Sequence, residues 1–375
     1  MAPVNRTVTV IGPDKAMTAE NPSVPAPEAG DPAPKRRVFT RALGIAYVAA
    51  FAFLGAGAGA LNFLGDPADG SPSVTVRMLP FPTEAEAATM RVRNVFRDVR
   101  EVQGRLVADP PLIEDSPQGP LPKIGPDGRT AIKAYGRDFD KKTKRPKIAV
   151  VLRGLGIGAD ETQQALAQLS PDITFGFAPF TPDLQDDVDK ARGAGHEVLL
   201  EAPMEPFDFP DSDPGPHALL VAASPEENGK RLEWVLSRAT GYVGVMNLLG
   251  GRFLGEESAI EPMLSRIAKR GLLFFDDGAS SSSVAITSAR HVKAWLATGM
   301  VTLDAVQTPA AIDTKLAELE NAARQDGFAI GVASAYPVSI ARLNEWAANA
   351  QARGFELVPI SGFAFQPGQQ NATAE

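Results

Sequence analysis

The chain contains no cysteine and only three histidines, His196, His217 and His291. The absence of cysteine excludes disulfides, thiolate nucleophiles and cysteine-ligated zinc. It does not fix the compartment, because an oxidising space tolerates a chain with nothing to oxidise. Three histidines leave little material for imidazole-based metal sites. The formal net charge of −8 argues against nucleic acid as a partner, since that function usually needs a basic face.

The N-terminal region lacks any hydrophobic periodicity over residues 1–34 and carries seven prolines there, which predicts a disordered cytoplasmic tail. Residues 35–64 begin with a basic flank and continue into a segment, 42–64, that has no charged residue. A helix of this length, rising about 1.5 Å per residue, spans a hydrocarbon core of about 30 Å. The segment is therefore predicted to be a transmembrane helix.

Basic residues before the apolar segment predict its orientation, because positive flanks stay in the cytoplasm. We expect a single-pass inner-membrane protein with a cytoplasmic N-terminus and a periplasmic C-terminal domain. A cleaved signal peptide is the alternative, since small residues stand at 55–60. The long polar tail before the flank favours an uncleaved anchor. Gly55 and Gly59 form a GxxxG pattern, a weak signal for a homodimer.

Residues 65–146 are predicted to connect the anchor to the folded domain. Apolar residues recur at spacings of three and four over 84–106, which predicts an amphipathic helix. This helix would either form a coiled coil with a second copy or pack on its own domain. Residues 107–146 are rich in proline and predict a linker. A second disordered tail is predicted at 364–375.

Strand and helix signals alternate from residue 147 to 363. Helix starts are marked at Ser224-Pro225 and Thr308-Pro309. Seven or eight β–α units imply parallel strands with helices outside. The predicted fold class is α/β, a distorted (β/α) barrel, with an open doubly wound sheet as the alternative. The strands are predicted at 148–152, 173–177, 197–200, 243–247, 272–275, 300–303, 328–332 and 355–358.

Several segments of this region together resemble the divergent polysaccharide deacetylase family, a relative of metal-dependent carbohydrate deacetylases with a (β/α) barrel. The resemblance covers about residues 146–363 and depends on the ordered set of motifs. It implies a role in envelope carbohydrate metabolism, with peptidoglycan or another polysaccharide as the partner. The matching segments are 148–156, 195–206, 214–216, 244–253, 271–276 and 335–337.

The chain departs from the family pattern at the positions that carry metal chemistry. The Asp-Asp pair that the family has after the first strand is replaced by Arg153 and Gly154. The two family histidines, after the fourth strand and near the seventh, are replaced by Leu248 and Ser334. Leucine cannot ligate a metal, serine is a poor ligand and arginine repels a cation. We therefore expect no metal, no other cofactor, and a pseudoenzyme that binds glycan. An active carbohydrate deacetylase or esterase with a rearranged site is the alternative.

Polar residues that remain at the predicted strand ends form a degenerate candidate cleft. They would bind sugar hydroxyls, act as an acid/base couple, or form salt bridges that fill a vacated cation site. An Arg153–Asp276 pair is the predicted replacement for the cation. The candidate residues are Arg153, Glu201, Glu205, Asn247, Asp276, Asp304 and Ser334.

Two further sequence patterns suggest other functions, but each lacks a part of its motif. Residues 154–159 fit the dinucleotide fingerprint G-x-G-x-x-A, but the strand at 173–177 ends without the acid that would bind a ribose. His291 follows the serine run 280–283, but no G-x-S-x-G elbow accompanies it. His196 precedes a strand and is predicted to be structural, and His217 is predicted to be exposed in a loop rich in Pro and Asp.

Topology gives the first testable prediction. A reporter fused after residue 70 should be active only if the reporter functions outside the cytoplasm, and reversing the charges of Lys35, Arg36, Arg37 and Arg41 should impair insertion or orientation. Paired fusions of a periplasmic and a cytoplasmic reporter provide the measurement. A cytoplasmic signal from the wild-type fusion would contradict the predicted orientation.

Overall fold

The computed structural model of the chain describes residues 100–102, 105–107 and 109–366. The predicted tail at 1–34, the anchor at 35–64 with its GxxxG pattern, the segment 65–99 and residues 367–375 of the tail predicted at 364–375 lie outside the described residues. The tail prediction is wrong at 364–366, because Phe365 and Leu296 exchange two backbone hydrogen bonds of 3.0 Å. Within the part of the chain that is described, no helix combines the length and apolar character needed to cross a bilayer.

The strands in chain order are β1 (Arg100–Val102), β2 (Arg105–Val107), β3 (Ile113–Ser116), β4 (Gly119–Pro122), β5 (Lys147–Leu155), β6 (Thr174–Phe177), β7 (Val198–Met204), β8 (Gly244–Leu249), β9 (Leu273–Asp276), β10 (Trp295–Thr298), β11 (Val301–Thr302), β12 (Phe328–Ser334) and β13 (Glu356–Leu357). The helices are α1 (Ala131–Tyr135), α2 (Ala159–Gln168), α3 (Leu184–Gly193), α4 (Pro225–Leu236), α5 (Gly251–Gly255), α6 (Glu257–Lys269), α7 (Ala285–Val292), α8 (Pro309–Asp326) and α9 (Pro337–Ala350). Strands and helices alternate from β5 onward.

Parallel pairing joins the strands from β5 to β13 in the order β10-β9-β8-β7-β6-β5-β12-β11, with β13 beside β5. The two edge strands, β10 and β11, are separated in the chain by Gly299 and Met300 alone. The Gly299 N–H donates to the carbonyl of Asp276 on β9, and the Met300 N–H donates to the carbonyl of Ile330 on β12, both at 2.8 Å. One short segment therefore bonds to both edges of the sheet. This arrangement is consistent with the predicted deacetylase-like (β/α) barrel.

Two interruptions distort the barrel. First, the segment that runs from β10 through Gly299 and Met300 to β11 changes its partner strand from β9 to β12. Second, the pairing register between β5 and β6 shifts between Leu152 and Leu155. The strand β10 is not among the predicted strands. Each of the eight predicted strand segments overlaps an observed strand.

The two helix starts marked in the sequence are confirmed. The Ser224 hydroxyl oxygen accepts a hydrogen bond from the Glu227 N–H at 3.1 Å, and the Thr308 hydroxyl oxygen accepts one from the Ala311 N–H at 3.4 Å. Each cap satisfies a backbone donor that the first helical turn leaves unpaired, and proline occupies the following position.

Residues 109–135 are part of the folded domain, so their interpretation as a linker is wrong. A 3-10 turn (Pro110–Leu112), the antiparallel hairpin β3–β4 and α1 occupy this stretch. Leu112, Leu121 and Tyr135 are at most 3% exposed and belong to the main hydrophobic core. The prolines begin a turn and occupy a two-stranded ladder, positions that tolerate a missing N–H.

The helix predicted over 84–106 is wrong at its C-terminal end, because β1 and β2 form an antiparallel pair there. Residues 84–99 of the predicted helix lie outside the described residues.

Candidate functional site

Most of the candidate residues lie close together because the carboxyl ends of parallel strands meet at the same edge of the sheet. Arg153 lies near the end of β5, Glu201 within β7 and Asn247 within β8. Asp276 is the last residue of β9, and Ser334 is the last residue of β12.

Arg153 is the centre of the cluster. Its Nη1 forms an ion pair with Asp277 Oδ2 at 2.6 Å, and its Nε donates to Ser334 Oγ at 3.3 Å. The Asp277 side chain is 3% exposed, whereas that of Arg153 is 27% exposed. The prediction that Arg153 binds a strand-end carboxylate is confirmed, but the predicted partner, Asp276, is wrong.

Asp276 lies in a different set of contacts, in which each of its carboxylate oxygens accepts one hydrogen bond. Ser283 Oγ donates to Asp276 Oδ2 at 2.6 Å, and the Gly278 N–H donates to Asp276 Oδ1 at 3.0 Å. Burial raises the pKa of the Asp276 carboxyl, and these two donors partly offset that effect.

Asp277, directly after the end of β9, is held by its neighbours in position to meet Arg153. Its N–H donates to Asn247 Oδ1 at 2.9 Å, and its Oδ1 accepts from the Ala279 N–H at 3.0 Å. Asn247 Nδ2 in turn donates to the carbonyl of Leu249 at 2.7 Å. Asn247 is therefore a positioning residue. The sequence signal for Asp277 is the adjacent pair of acids at the end of β9.

Asp304 holds the other side of the cluster. Its Oδ2 accepts from the Ser334 N–H and from Ser339 Oγ, both at 2.7 Å. Because Ser334 Oγ also receives the Arg153 Nε–H, Asp304 fixes the strand end against which the guanidinium rests. A continuous chain of hydrogen bonds thus runs from Asp304 to Asn247 by way of Ser334, Arg153 and Asp277.

Glu201 lies fully buried beneath this chain of polar groups. Its Oε1 accepts from the Gly154 N–H, while its Oε2 has no hydrogen-bond partner within residues 109–366. Burial raises the pKa of the Glu201 carboxyl to about 7, an effect that the Gly154 N–H and the Arg153 charge oppose. Gly154 adopts a φ of +81°, a backbone conformation that glycine favours.

Glu205 belongs to a separate ion pair. Its Oε1 lies 2.8 Å from Arg252 Nη1, and its Oε2 accepts from the Val221 N–H at 2.7 Å. The Glu205 side chain is 6% exposed and that of Arg252 is 50% exposed. None of its described hydrogen bonds joins Glu205 to the Arg153 cluster.

The glycine-rich segment after β5 has a structural explanation. The Gly156 N–H donates to Thr162 Oγ1 at 2.8 Å, and its carbonyl accepts from Thr181 Oγ1 at 2.9 Å. A Cβ atom at Gly156 would lie 2.2 Å from Thr181 Oγ1, so only glycine allows this close approach. These contacts, and the missing ribose acid, give no support to dinucleotide binding.

The histidines lie away from the Arg153 cluster. His196 is buried, its Nδ1 is 2.9 Å from the Ile173 carbonyl oxygen, and burial lowers its pKa to about 4, which confirms the structural role. His217 is half-buried and stacks on Trp234 at a centroid distance of 3.6 Å, so its predicted exposure is only partly observed. His291 lies beside Glu257 and not against the serine run.

Comparison with known proteins identifies the family. The model of the divergent polysaccharide deacetylase family matches residues 150–364, which is more than half of the chain. The chain therefore belongs to the divergent polysaccharide deacetylase family.

The chain is similar to two proteins of known structure and to one protein known from its sequence. The crystal structure of an uncharacterized protein from Agrobacterium tumefaciens C58 is 43% identical, covers 65% of this chain and 99% of that chain, and has a TM-score of 0.64. The catalytic domain of a peptidoglycan N-acetylglucosamine deacetylase from Eubacterium rectale is 13% identical, covers 60% and 93%, and has a TM-score of 0.41. The uncharacterized protein YibQ of Escherichia coli K12 is 23% identical over 203 residues, which span 54% of this chain and 63% of YibQ.

The Arg153 cluster does not fit the catalytic metal of the wider deacetylase group. Leu248 offers no donor atom, and Ser334 Oγ accepts a hydrogen bond from Arg153. The guanidinium of Arg153 itself supplies the positive charge that pairs with Asp277 there. Within residues 109–366, the group of metal-ligating side chains that could share one ion lies on the outer helices instead.

The Glu201→Gln variant tests the buried carboxyl. The pKa of Glu201 is raised from 4.5 to about 7, so the folded chain retains a proton that the unfolded chain releases. The contribution to stability is fully present below about pH 4.5 and is lost as the pH rises through about 7. Glutamine does not ionise. The variant should therefore gain stability relative to wild type between about pH 5 and pH 8, by up to about 3 kcal/mol.

Thermal unfolding across this pH range measures the effect. Glu227→Gln, on the exposed side of α4, is the matched control for removal of one carboxylate. Parallel pH curves for wild type and Glu201→Gln would contradict the raised pKa.

Proposed function

We propose that the chain is a membrane-anchored periplasmic protein that binds envelope glycan and does not perform metal-dependent deacetylation. The observation that carries this proposal is the Arg153 guanidinium, bonded to Asp277 and Ser334 at the strand ends. A fixed cation there repels a divalent metal and presents N–H donors to hydroxyl oxygens. Membership of the family supports carbohydrate as the ligand class.

Aromatic side chains on the same face support the choice of glycan. Phe180 follows β6, Phe207 follows β7 and Tyr336 follows β12, and these side chains are 40%, 66% and 40% exposed. Exposed aromatic rings near a few convergent polar groups are typical of small-molecule and sugar sites. The rings would pack on the apolar faces of sugar units while Arg153 and its neighbours bind hydroxyl groups.

Membrane anchorage rests on the sequence at 35–64. The basic flank and the uncharged segment support a single span with the barrel domain exported. Residues 65–99 then connect the proposed anchor to the described domain in the sequence.

A second candidate function is an esterase or deacetylase without a metal. The unpartnered Oε2 of Glu201 and its pKa of about 7 favour it, because a general acid or base functions best near the working pH. The two candidate functions differ in whether the chain releases acetate from an acetylated glycan, which one assay can measure.

Binding and turnover on the same material test the proposal. Purified full chain should bind peptidoglycan sacculi and release no acetate from them. Phe207→Ala and Tyr336→Ala should each weaken binding by about threefold to tenfold, since an aromatic contact contributes about 0.5–1.5 kcal/mol. Ile286→Ala is the control. Ile286 is an apolar residue that is 43% exposed, much like Tyr336, but it lies on the outer helix α7.

Sedimentation with sacculi measures binding, and an enzymatic acetate assay measures turnover. Acetate release that depends on added zinc would overturn the proposed loss of metal chemistry. Release that persists with chelator and disappears in Glu201→Gln would favour the esterase.

Restoring the family's metal ligands tests whether the four replaced residues stand at the family's metal-binding positions. The quadruple variant Arg153→Asp, Gly154→Asp, Leu248→His and Ser334→His should acquire weak zinc binding, because ligand type and number dominate affinity. Catalysis need not follow, since the surrounding hydrogen bonds would be missing. The variant is made in a His291→Ala background, which removes an exposed native imidazole.

The backbone has room for this change. A Cβ atom at Gly154 would meet only Ile157 Cδ1, at 4.0 Å, and aspartate tolerates a positive φ better than most residues. Isothermal titration calorimetry with zinc is the measurement. A folded variant without zinc binding would show that the four positions do not converge.

A further inference from the structure

Three metal-ligating side chains meet on the outer surface of the barrel, away from the strand ends. Glu257 and Glu261 lie four residues apart on α6, so both project from one face of that helix. His291 lies in the last turn of α7, which packs against α6. The ligand atoms of the three side chains all lie within 4.8 Å of one another.

The distances suit one small cation. His291 Nδ1 is 3.3 Å from Glu257 Oε1 and 3.6 Å from Glu261 Oε2. Ligand atoms at about 2.0–2.1 Å from a tetrahedral zinc are separated by about 3.3 Å. The two distances from His291 Nδ1 are therefore close to the edge of a zinc tetrahedron, and all three ligand atoms lie within 4.8 Å of one another. A fourth position would be left for water.

The charge pattern also favours a bound cation. Two carboxylates at i and i+4 on a helix repel each other. Neither Glu257 nor Glu261 has a lysine or arginine within ion-pair distance among the described residues. Several other helical glutamates do have one, as in the pairs Glu227–Arg231, Glu318–Lys315 and Glu345–Arg342.

The donor types select among metals. One imidazole nitrogen with two carboxylate oxygens suits zinc, whereas magnesium and calcium prefer oxygen donors alone. His196 is buried against Ile173 and His217 stacks on Trp234, so His291 is the histidine placed to ligate.

We propose that Glu257, Glu261 and His291 form a zinc-binding site that links α6 to α7. The site is independent of the Arg153 cluster and of the proposed glycan function. Its three side chains are 57%, 36% and 53% exposed, so zinc can enter without any opening of the fold. Bound zinc would cross-link two neighbouring helices of the outer layer.

Calorimetric titration of zinc into the full chain, after removal of any affinity tag and dialysis against chelator, tests the site. We expect one zinc per chain and a higher Tm in its presence. His291→Ala and Glu261→Gln should each weaken zinc binding by about tenfold or more, because even the loss of an outer partner weakens metal sites by about that factor. His291 is exposed and Glu261 is half-buried at the surface, so these variants should fold like wild type in zinc-free buffer.

Glu227→Gln serves as the matched control, because it removes another exposed helical carboxylate and should leave zinc binding unchanged. The proposal is overturned if the wild-type chain binds no zinc, or if both ligand variants bind zinc as tightly as wild type. Equal affinity for magnesium would overturn the assignment to zinc and indicate general attraction to acidic groups.

Discussion

Parallel pairing of the strands is the constraint on which the site depends. The short segment from β10 to β11 bonds to β9 on one side and to β12 on the other, so the two edges of the sheet are joined through one stretch of chain. All strand ends then face the same way. Arg153, Asp277 and Ser334, which are far apart in the sequence, meet there within hydrogen-bond distance.

The chemistry of that face follows from the cation at its centre. In a metal enzyme of this fold, an ion would neutralise the carboxylates and polarise a carbonyl oxygen. Here the guanidinium of Arg153 neutralises Asp277, and its planar donor groups are fixed by the protein. A fixed guanidinium binds hydroxyl groups well, but it does not activate a water molecule as a nucleophile. This difference is the physical reason for proposing that the chain binds glycan and does not deacetylate it.

Glu201 sets the electrostatic character beneath this surface. A fully buried carboxyl with one oxygen unpartnered is costly when ionised, so its proton is retained to an unusually high pH. The nearby Arg153 charge offsets only part of that cost. The polar groups at the strand ends therefore lie above a carboxyl whose charge changes near neutral pH.

Sequence signals that act over only a few residues predict the local structure correctly. The caps at Ser224 and Thr308 were confirmed because a cap depends only on the next three residues. The strand runs and their alternation with helices predicted a parallel α/β domain, because buried parallel strands need continuous apolar runs. The helix predicted over 84–106 is wrong at β1 and β2, because the spacing of its valines also fits short strands. The linker predicted over 107–146 is wrong at 109–135, because a high density of proline also occurs in turns and edge strands.

The sequence by itself determined which side chains were available at the strand ends and which metal ligands were missing, because both follow from residue identity and strand order. Only the tertiary structure decided that Arg153 pairs with Asp277 and not with Asp276. That choice depends on where the folded chain directs the two adjacent carboxylates, since Asp276 meets Ser283 and the Gly278 N–H, while Asn247 holds the backbone of Asp277 and the Asp277 carboxylate meets Arg153. The tertiary structure also placed His291 beside Glu257 and Glu261, because packing of α6 against α7 brings together residues that no short motif connects.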